Sequence, residues 1–131
     1  MKRSFYLTLI SLILIGFSCK KSDTVAANQV TKVTITVKNA AGAPLPNIKV
    51  YQMDDKRIGS FGYNPVYAQQ TGVTDENGNV VFIIDPLIFT GSEQHGIYFF
   101  LQYAVGANTN TKQYHAMLKK FDIQAATLVI D

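Results

Sequence analysis

The chain has 131 residues, of which 47% are hydrophobic and 16% are charged, with 12 Lys and Arg against 9 Asp and Glu. A chain of this length forms one domain at most, which excludes large enzymes and multidomain receptors. Its single cysteine also excludes an intramolecular disulfide, a cysteine-rich zinc site and a CxxC redox pair.

The chain opens with a charged and then apolar segment. Lys2 and Arg3 precede an apolar run from Phe5 to Phe17. These 13 residues are too few for a stable membrane span, which needs about 20 apolar residues. The pattern therefore predicts a cleaved signal peptide over residues 1–18.

The end of this segment resembles the signal of Gram-negative bacterial lipoproteins. The residues that carry the resemblance are Ile15-Gly16-Phe17-Ser18-Cys19, with Gly16 where that family usually has Leu. The resemblance implies that the Cys19 thiol receives a diacylglycerol and that the mature chain begins at Cys19. A covalent lipid on Cys19 would then anchor the protein to a membrane without spanning it, and we expect no other cofactor. The alternative is an ordinary secretory signal followed by a free thiol.

The positive net charge belongs mainly to the signal and to the residues that follow it. Removal of residues 1–18 leaves 10 Lys and Arg against 9 Asp and Glu, and from Val30 onward the count is 8 against 8. A neutral domain lacks the basic face that nucleic acid requires, so we do not expect nucleic acid as a partner. Residues 19–29 are polar and without periodicity, which predicts a flexible tether to a domain over residues 30–131.

The domain begins with alternating apolar and polar residues, which predict a first strand from Val30 to Lys38. A break rich in proline and glycine separates it from a second strand, Ile48 to Tyr51. We expect the stretch from Gln52 to Gln69 to be irregular, with a solvated loop at residues 54–57. Asn77-Gly78 then predicts a tight turn of a β-hairpin.

The second half of the domain is also predicted to consist of strands. The strand Val80 to Ile84 ends at Asp85-Pro86, and a loop with a turn of helix follows it. Ile97 to Val105 is apolar on both faces, so we expect a central strand there. A polar connection over residues 106–112 and two last strands, at residues 114–119 and 126–130, complete the prediction. No segment after Cys19 shows a convincing helical face.

About seven short strands with regular turn signals predict an all-β, immunoglobulin-like (prealbumin-like) β-sandwich. Residues 33–84 resemble the carboxypeptidase regulatory-like and bacterial Ig-like modules. The motifs that carry this resemblance are Gly42-Ala43-Pro44-Leu45 and Thr74-Asp75-Glu76-Asn77-Gly78-Asn79-Val80-Val81-Phe82. Such modules serve as spacers, adhesins, assembly domains and sugar binders, so the resemblance implies the fold more than the function.

Two groups of residues have spacings that raise the question of a metal site. Asp75, Asn77 and Asn79 alternate as calcium ligands do, but the glycine of this loop stands fourth instead of sixth, which favours a turn. His95 and His115 lack a third zinc ligand, which favours structural or solvent-exposed roles. We therefore predict no metal site.

The candidate binding site is a glycine-rich connection that carries Phe61, Tyr63 and Tyr67. Exposed rings at these positions would suit a sugar ring or the apolar patch of a protein partner. The alternative is that the rings cap the core. No Gly-x-Ser-x-Gly elbow or other catalytic motif is visible, so we do not expect an enzyme.

Together these observations predict a non-enzymatic lipoprotein of the outer membrane. Its sandwich is expected to act as an accessory or interaction module for envelope proteins, on either the periplasmic or the surface face. The alternative is a cell-surface carbohydrate-binding module that uses the aromatic loop.

Overall fold

The computed structural model describes residues 29–131 except Ser92. The predicted signal peptide, Cys19 and nearly all of the predicted tether therefore lie outside the described residues. The described strands are β1 (Thr31–Asn39), β2 (Lys49–Asp54), β3 (Gln70–Val73), β4 (Asn79–Ile84), β5 (His95–Val105), β6 (Asn108–Leu118) and β7 (Ile123–Ile130). One helix, α1 (Asp55–Phe61), and two 3-10 turns, Pro65–Tyr67 and Pro86–Ile88, lie between them.

The strands form two sheets that pack face to face. The three-stranded sheet has the order β4-β1-β7, and the four-stranded sheet has the order β3-β2-β5-β6. β1 pairs antiparallel with β4 and parallel with β7, whereas every pair of the four-stranded sheet is antiparallel. Consecutive strands β1 and β2 thus lie in opposite sheets. This architecture confirms the predicted all-β sandwich.

The core lies between the sheets and follows the period-two alternation of each strand. Val33, Ile35 and Val37 of β1 are fully buried, while the residues between them are half-buried on the outer face. Across the core, the ring of Phe82 on β4 meets that of Phe99 on β5 with centroids 5.1 Å apart. β5 has a neighbour on each side, which confirms its predicted central position.

The turn at Asn77-Gly78 exists, but the predicted hairpin around it is wrong. β3 pairs with β2 and β4 pairs with β1, so the turn carries the chain from one sheet to the other. Oδ1 of Asp75 accepts hydrogen bonds from the backbone N–H groups of Asn77 and Asn79, each 2.9 Å long. Gly78 has φ +74°, and a Cβ at this position would lie 2.6 Å from the carbonyl oxygen of Val37. The turn passes too close to β1 to leave room for a side chain at position 78, which explains why a glycine is present there.

The stretch predicted to be irregular contains α1, so the predictions of a loop at residues 54–57 and of no helix were wrong. Oδ1 of Asp54 accepts a 2.8 Å hydrogen bond from the N–H of Arg57 and caps the first turn. The N–H of Gly62, at φ +62°, donates a 2.8 Å hydrogen bond to the carbonyl of Ile58 and ends the helix. Capping therefore sets both ends of a helix too short to show periodicity.

The polar connection predicted after β5 is mostly strand. β6 begins at Asn108, directly after a two-residue turn at Gly106-Ala107, and its register with β5 runs from Val105↔Asn108 to His95↔Leu118. Residues 108–112 of β6 are all polar and mostly exposed, so the alternation that marks a strand is missing there. β7 likewise begins three residues earlier than predicted, at Ile123.

Within residues 29–131, no helix is both long enough and apolar enough to cross a membrane.

Candidate functional site

The outer face of the four-stranded sheet carries a second apolar cluster, covered by the segment that joins β2 to β3. Met53 and Phe100 are fully buried although their side chains point away from the main core. The register pairs Met53 with Tyr98 and Tyr51 with Phe100, which places all four on this outer face. We call residues 55–69, which include α1 and the first 3-10 turn, the covering segment.

Tyr63 joins the covering segment to the sheet. Its ring stands edge-on to Tyr98 and Phe100, with centroid distances of 5.8 and 5.3 Å. Nε2 of Gln102 donates a 3.0 Å hydrogen bond to the Tyr63 carbonyl. Burial of the phenol, and secondarily the nearby Tyr98, raises the pKa of Tyr63 above its usual value of 10.0. Of the three predicted site residues, Tyr63 is therefore the one that packs on the outer face of the four-stranded sheet.

Phe61 and Tyr67 lie outside this cap and stack on each other. Their ring centroids are 4.0 Å apart with an interplanar angle of 14°, and the residues remain 47% and 40% exposed. We call these two rings the aromatic pair. Nη1 of Arg57 donates a 3.2 Å hydrogen bond to the Tyr67 carbonyl, and Val66 beside the pair is 83% exposed. The structure thus brings two of the three predicted rings together at the surface.

The base of the covering segment is closed by reciprocal hydrogen bonds. Oε1 of Gln69 accepts from the N–H of Asp54 at 2.7 Å, and Nε2 of Gln69 donates to Oδ2 of Asp54 at 2.9 Å. The Gln69 N–H also donates to the Gln52 carbonyl at 2.8 Å. These bonds hold both ends of the segment to β2, so the aromatic pair is presented on a fixed support.

An open groove of about 610 Å³ runs beside the aromatic pair. It is lined by Asp54, Lys56, Arg57, Ser60, Phe61, Tyr67 and Gln69. The carboxylate of Asp54 and the amide of Gln69 already bond each other and the helix N-terminus. A molecule in the groove therefore meets the apolar faces of the rings and the cations of Lys56 and Arg57. The hydrogen-bond acceptors of Asp54 and Gln69 are already used within the protein.

A carboxylate and an imidazole meet at the start of α1. Oδ1 of Asp55 and Nε2 of His115 are 3.0 Å apart, and the His115 ring stacks on Tyr98 with centroids 4.1 Å apart. A Cβ on Gly96 would overlap the Asp55 carboxylate, so the glycine makes room for it. Sequence reasoning missed this pair because the two residues are 60 positions apart.

The two histidines are not brought together. His95 faces the inner side of β5 and stands edge-on to Phe89 at 5.4 Å, and its Nε2 is buried without a hydrogen-bond partner. His115 lies on the opposite face. Among the described residues, no three His, Cys, Asp or Glu side chains are grouped as a metal site would require. In the same part of the chain, no hydroxyl or thiol is hydrogen-bonded to the Asp55–His115 pair.

Comparisons with known proteins add the fold but no family. No family model matches the sequence, and no curated protein matches it. The structure is similar to that of a streptococcal ancillary pilin, with a TM-score of 0.52 and 16% identity over 77% of this chain and 32% of the pilin. The match thus spans about a third of the pilin, and at this identity it shows a shared sandwich fold alone.

Two other solved structures are similar with lower TM-scores. The TIE protein of Bacillus anthracis matches with a TM-score of 0.44 and 14% identity over 76% of this chain and 15% of that one. A 9R-lipoxygenase from Cyanothece matches with a TM-score of 0.40 and 18% identity over 78% and 16%. Neither supports an argument about this chain. The resemblance to carboxypeptidase regulatory-like modules stays a prediction.

Proposed function

We propose that the protein is a non-enzymatic, lipid-anchored module of the cell envelope that binds another envelope protein through the aromatic pair. The observation that carries this proposal is the stacking of two exposed rings, Phe61 and Tyr67, on a support fixed by hydrogen bonds. Rigid aromatic side chains are over-represented among the residues that dominate binding energy at protein interfaces, because they bury much area with little loss of entropy. Val66, which precedes Tyr67 in the sequence, is also exposed.

The anchoring part of the proposal is supported by the sequence of residues 1–19. It is tested by mass spectrometry of the protein purified from membranes. We expect a chain that begins at Cys19 and carries a diacylglycerol and an acyl chain. Replacement of Cys19 by Ser should prevent this modification and leave the signal segment attached. A mature chain with an unmodified Cys19 thiol would contradict the anchor and support the secretory alternative.

The binding part is tested by crosslinking intact cells and recovering the protein through a C-terminal tag. We expect a stoichiometric partner with the wild type, and its loss with the double variant Phe61→Ala/Tyr67→Ala. The matched control is Val81→Ala/Val129→Ala, which removes two similarly exposed side chains from the outer face of the other sheet. Recovery of the same partner by all three proteins would contradict the assignment of the aromatic pair.

A second candidate function is carbohydrate binding, favoured by the groove beside the aromatic pair. The free face of each ring could stack on a sugar, with Lys56 as a hydrogen-bond donor and the Ser60 hydroxyl, which donates to the Lys56 carbonyl, as an acceptor. A glycan array probed with the purified protein distinguishes the two candidates. Binding that depends on Phe61 and Tyr67 would favour the glycan, whereas an array without signal together with a crosslinked protein would favour the partner.

A further inference from the structure

One end of the sandwich gathers the start of β1, the turn between β6 and β7, and the loop after β4. The N–H of Lys32 donates a 2.9 Å hydrogen bond to the Asp122 carbonyl, and the N–H of Phe121 donates a 2.7 Å hydrogen bond to Oγ1 of Thr31. The register places Ile84, the last residue of β4, beside Thr31. We call this the tether end, because the chain that precedes β1 enters the domain here.

The tether end displays large apolar side chains to solvent. Leu87, two residues after Asp85 in the loop after β4, is 86% exposed, and Ile123 at the start of β7 is 60% exposed. Phe121, in the turn between β6 and β7, is 43% exposed. Three large apolar side chains are thus exposed where the preceding chain enters the domain. Exposed apolar clusters mark interaction sites.

Phe121 is also held in a backbone conformation that large side chains rarely adopt. Its φ is +71°, in the left-handed region that glycine and asparagine favour. The surrounding turn enforces this conformation, because the Lys119 N–H donates to Oδ2 of Asp122 at 2.8 Å and the Asp122 N–H donates to the Lys119 carbonyl at 3.1 Å. Strain of this kind collects at functional sites. Its effect here is to hold a phenyl ring outward at the tip of the turn.

The tether end carries charged groups of both signs: Lys119, Lys120 and Asp122 lie in the turn between β6 and β7, and Asp85 follows β4. The carboxylates of Asp85 and Asp122 accept hydrogen bonds from the backbone N–H groups of Leu87 and Lys119. Nζ of Lys120 lies 5.2 Å from the centroid of the Phe121 ring. Among the described residues, no lysine forms a salt bridge. Lysines next to exposed apolar side chains are typical of protein surfaces that lie at a lipid headgroup layer.

We propose that the tether end lies on the bilayer, with Leu87, Phe121 and Ile123 inserted into its interfacial layer. This inference rests on the proposed lipid anchor at Cys19. The eleven residues from 20 to 30 span at most about 40 Å when fully extended. An anchored domain therefore stays within reach of the surface, and insertion becomes an intramolecular step at high effective concentration. Because the chain enters at this end, it is the part of the domain that approaches the bilayer first.

Tryptophan fluorescence tests this orientation, because the chain contains no tryptophan. The full lipidated protein is reconstituted into vesicles whose acyl chains carry bromine, a quencher of tryptophan. The test variants are Leu87→Trp and Phe121→Trp. The control is Val105→Trp, an exposed site at the far end of the 11-residue strand β5, about 35 Å from the tether end at the rise of an extended strand.

We expect a blue shift and a loss of emission for Leu87→Trp and Phe121→Trp on vesicles, and neither change for Val105→Trp. Flotation of the same samples reports anchoring separately. If the protein floats with the vesicles but the two test variants emit as in solution, the anchor stands and the inserted tether end is overturned. If Phe61→Trp is quenched instead, the domain lies on its side and the inference is again overturned. If the protein does not float, both the anchor and the inference fail.

Discussion

The absence of a side chain at Gly96 leaves room for a contact between two other residues of the domain. The Asp55 carboxylate, on the first residue of α1, occupies the space that a Cβ on Gly96 would fill, and from there it reaches His115. We expect Gly96→Ala to displace the carboxylate and to lower the free energy of unfolding by about 1 kcal/mol, through crowding and the lost hydrogen bond. Urea denaturation measures the change. Gly59→Ala is the control, since its Cβ would meet open space within α1 and should raise stability by about 0.5–1 kcal/mol.

A double-mutant cycle separates crowding at this site from a general intolerance of β5 to substitution. In the Asp55→Ala background the carboxylate is absent, so Gly96→Ala should have little further effect. Equal losses of stability in the two backgrounds would contradict the contact between Gly96 and Asp55 as the cause.

The side chains of the covering segment divide into those that pack on the sheet and those that are exposed at the surface. Met53 and Phe100 owe their burial on the outer face of the sheet to this segment, and Tyr63 is its main contact with the rings below. We expect Tyr63→Ala to lower the free energy of unfolding by about 2 kcal/mol, because it exposes apolar surface and leaves a cavity. Tyr67→Ala should change it by no more than about 0.5 kcal/mol, since that ring is at the surface. Chemical denaturation of both variants checks the contrast, and a large loss from Tyr67→Ala would contradict the division.

At the scale of elements, a strand can be predicted from the sequence where one face of that strand lines the core. β1 and β4 alternate cleanly, because each has one face on the core and one on solvent. The first half of β6 was missed because its residues are polar and mostly exposed, so that only its pairing with β5 defines it. α1 was missed because seven residues with two apolar side chains, Ile58 and Phe61, are too few to show a helical period. Its end signals, Asp54 and Gly62, were readable and would have located it.

The same limit applies to the candidate site. Phe61 and Tyr67 could be singled out because aromatic residues in a glycine-rich connection stand out by composition. Their stacking, and the different role of Tyr63, depend on how the covering segment folds back on β5, which the local sequence does not encode. Asp55 and His115 meet only because β2, β5 and β6 are neighbours in one sheet. Pairs that depend on sheet order cannot be read from spacing along the chain.

For the whole molecule, the positions of the two proposed surfaces predict that they work independently. The aromatic pair lies on the covering segment, over the outer face of the four-stranded sheet, whereas Leu87, Phe121 and Ile123 lie at the tether end. A domain that rests on the bilayer by its end leaves its side free for a partner. The two surfaces have no exposed apolar residue in common, so we expect that removal of one leaves the other unchanged.

This independence can be measured with two variants of the lipidated protein. We expect Phe61→Ala/Tyr67→Ala to lose the crosslinked partner while a Trp at position 87 is still quenched by brominated lipid. Conversely, Leu87→Asp/Ile123→Asp should weaken insertion, because a carboxylate opposes burial in the interfacial layer, yet should recover the partner from detergent extracts as the wild type does. Loss of both readouts in either variant would mean that partner and membrane meet one continuous surface, with the domain lying on its side against the bilayer.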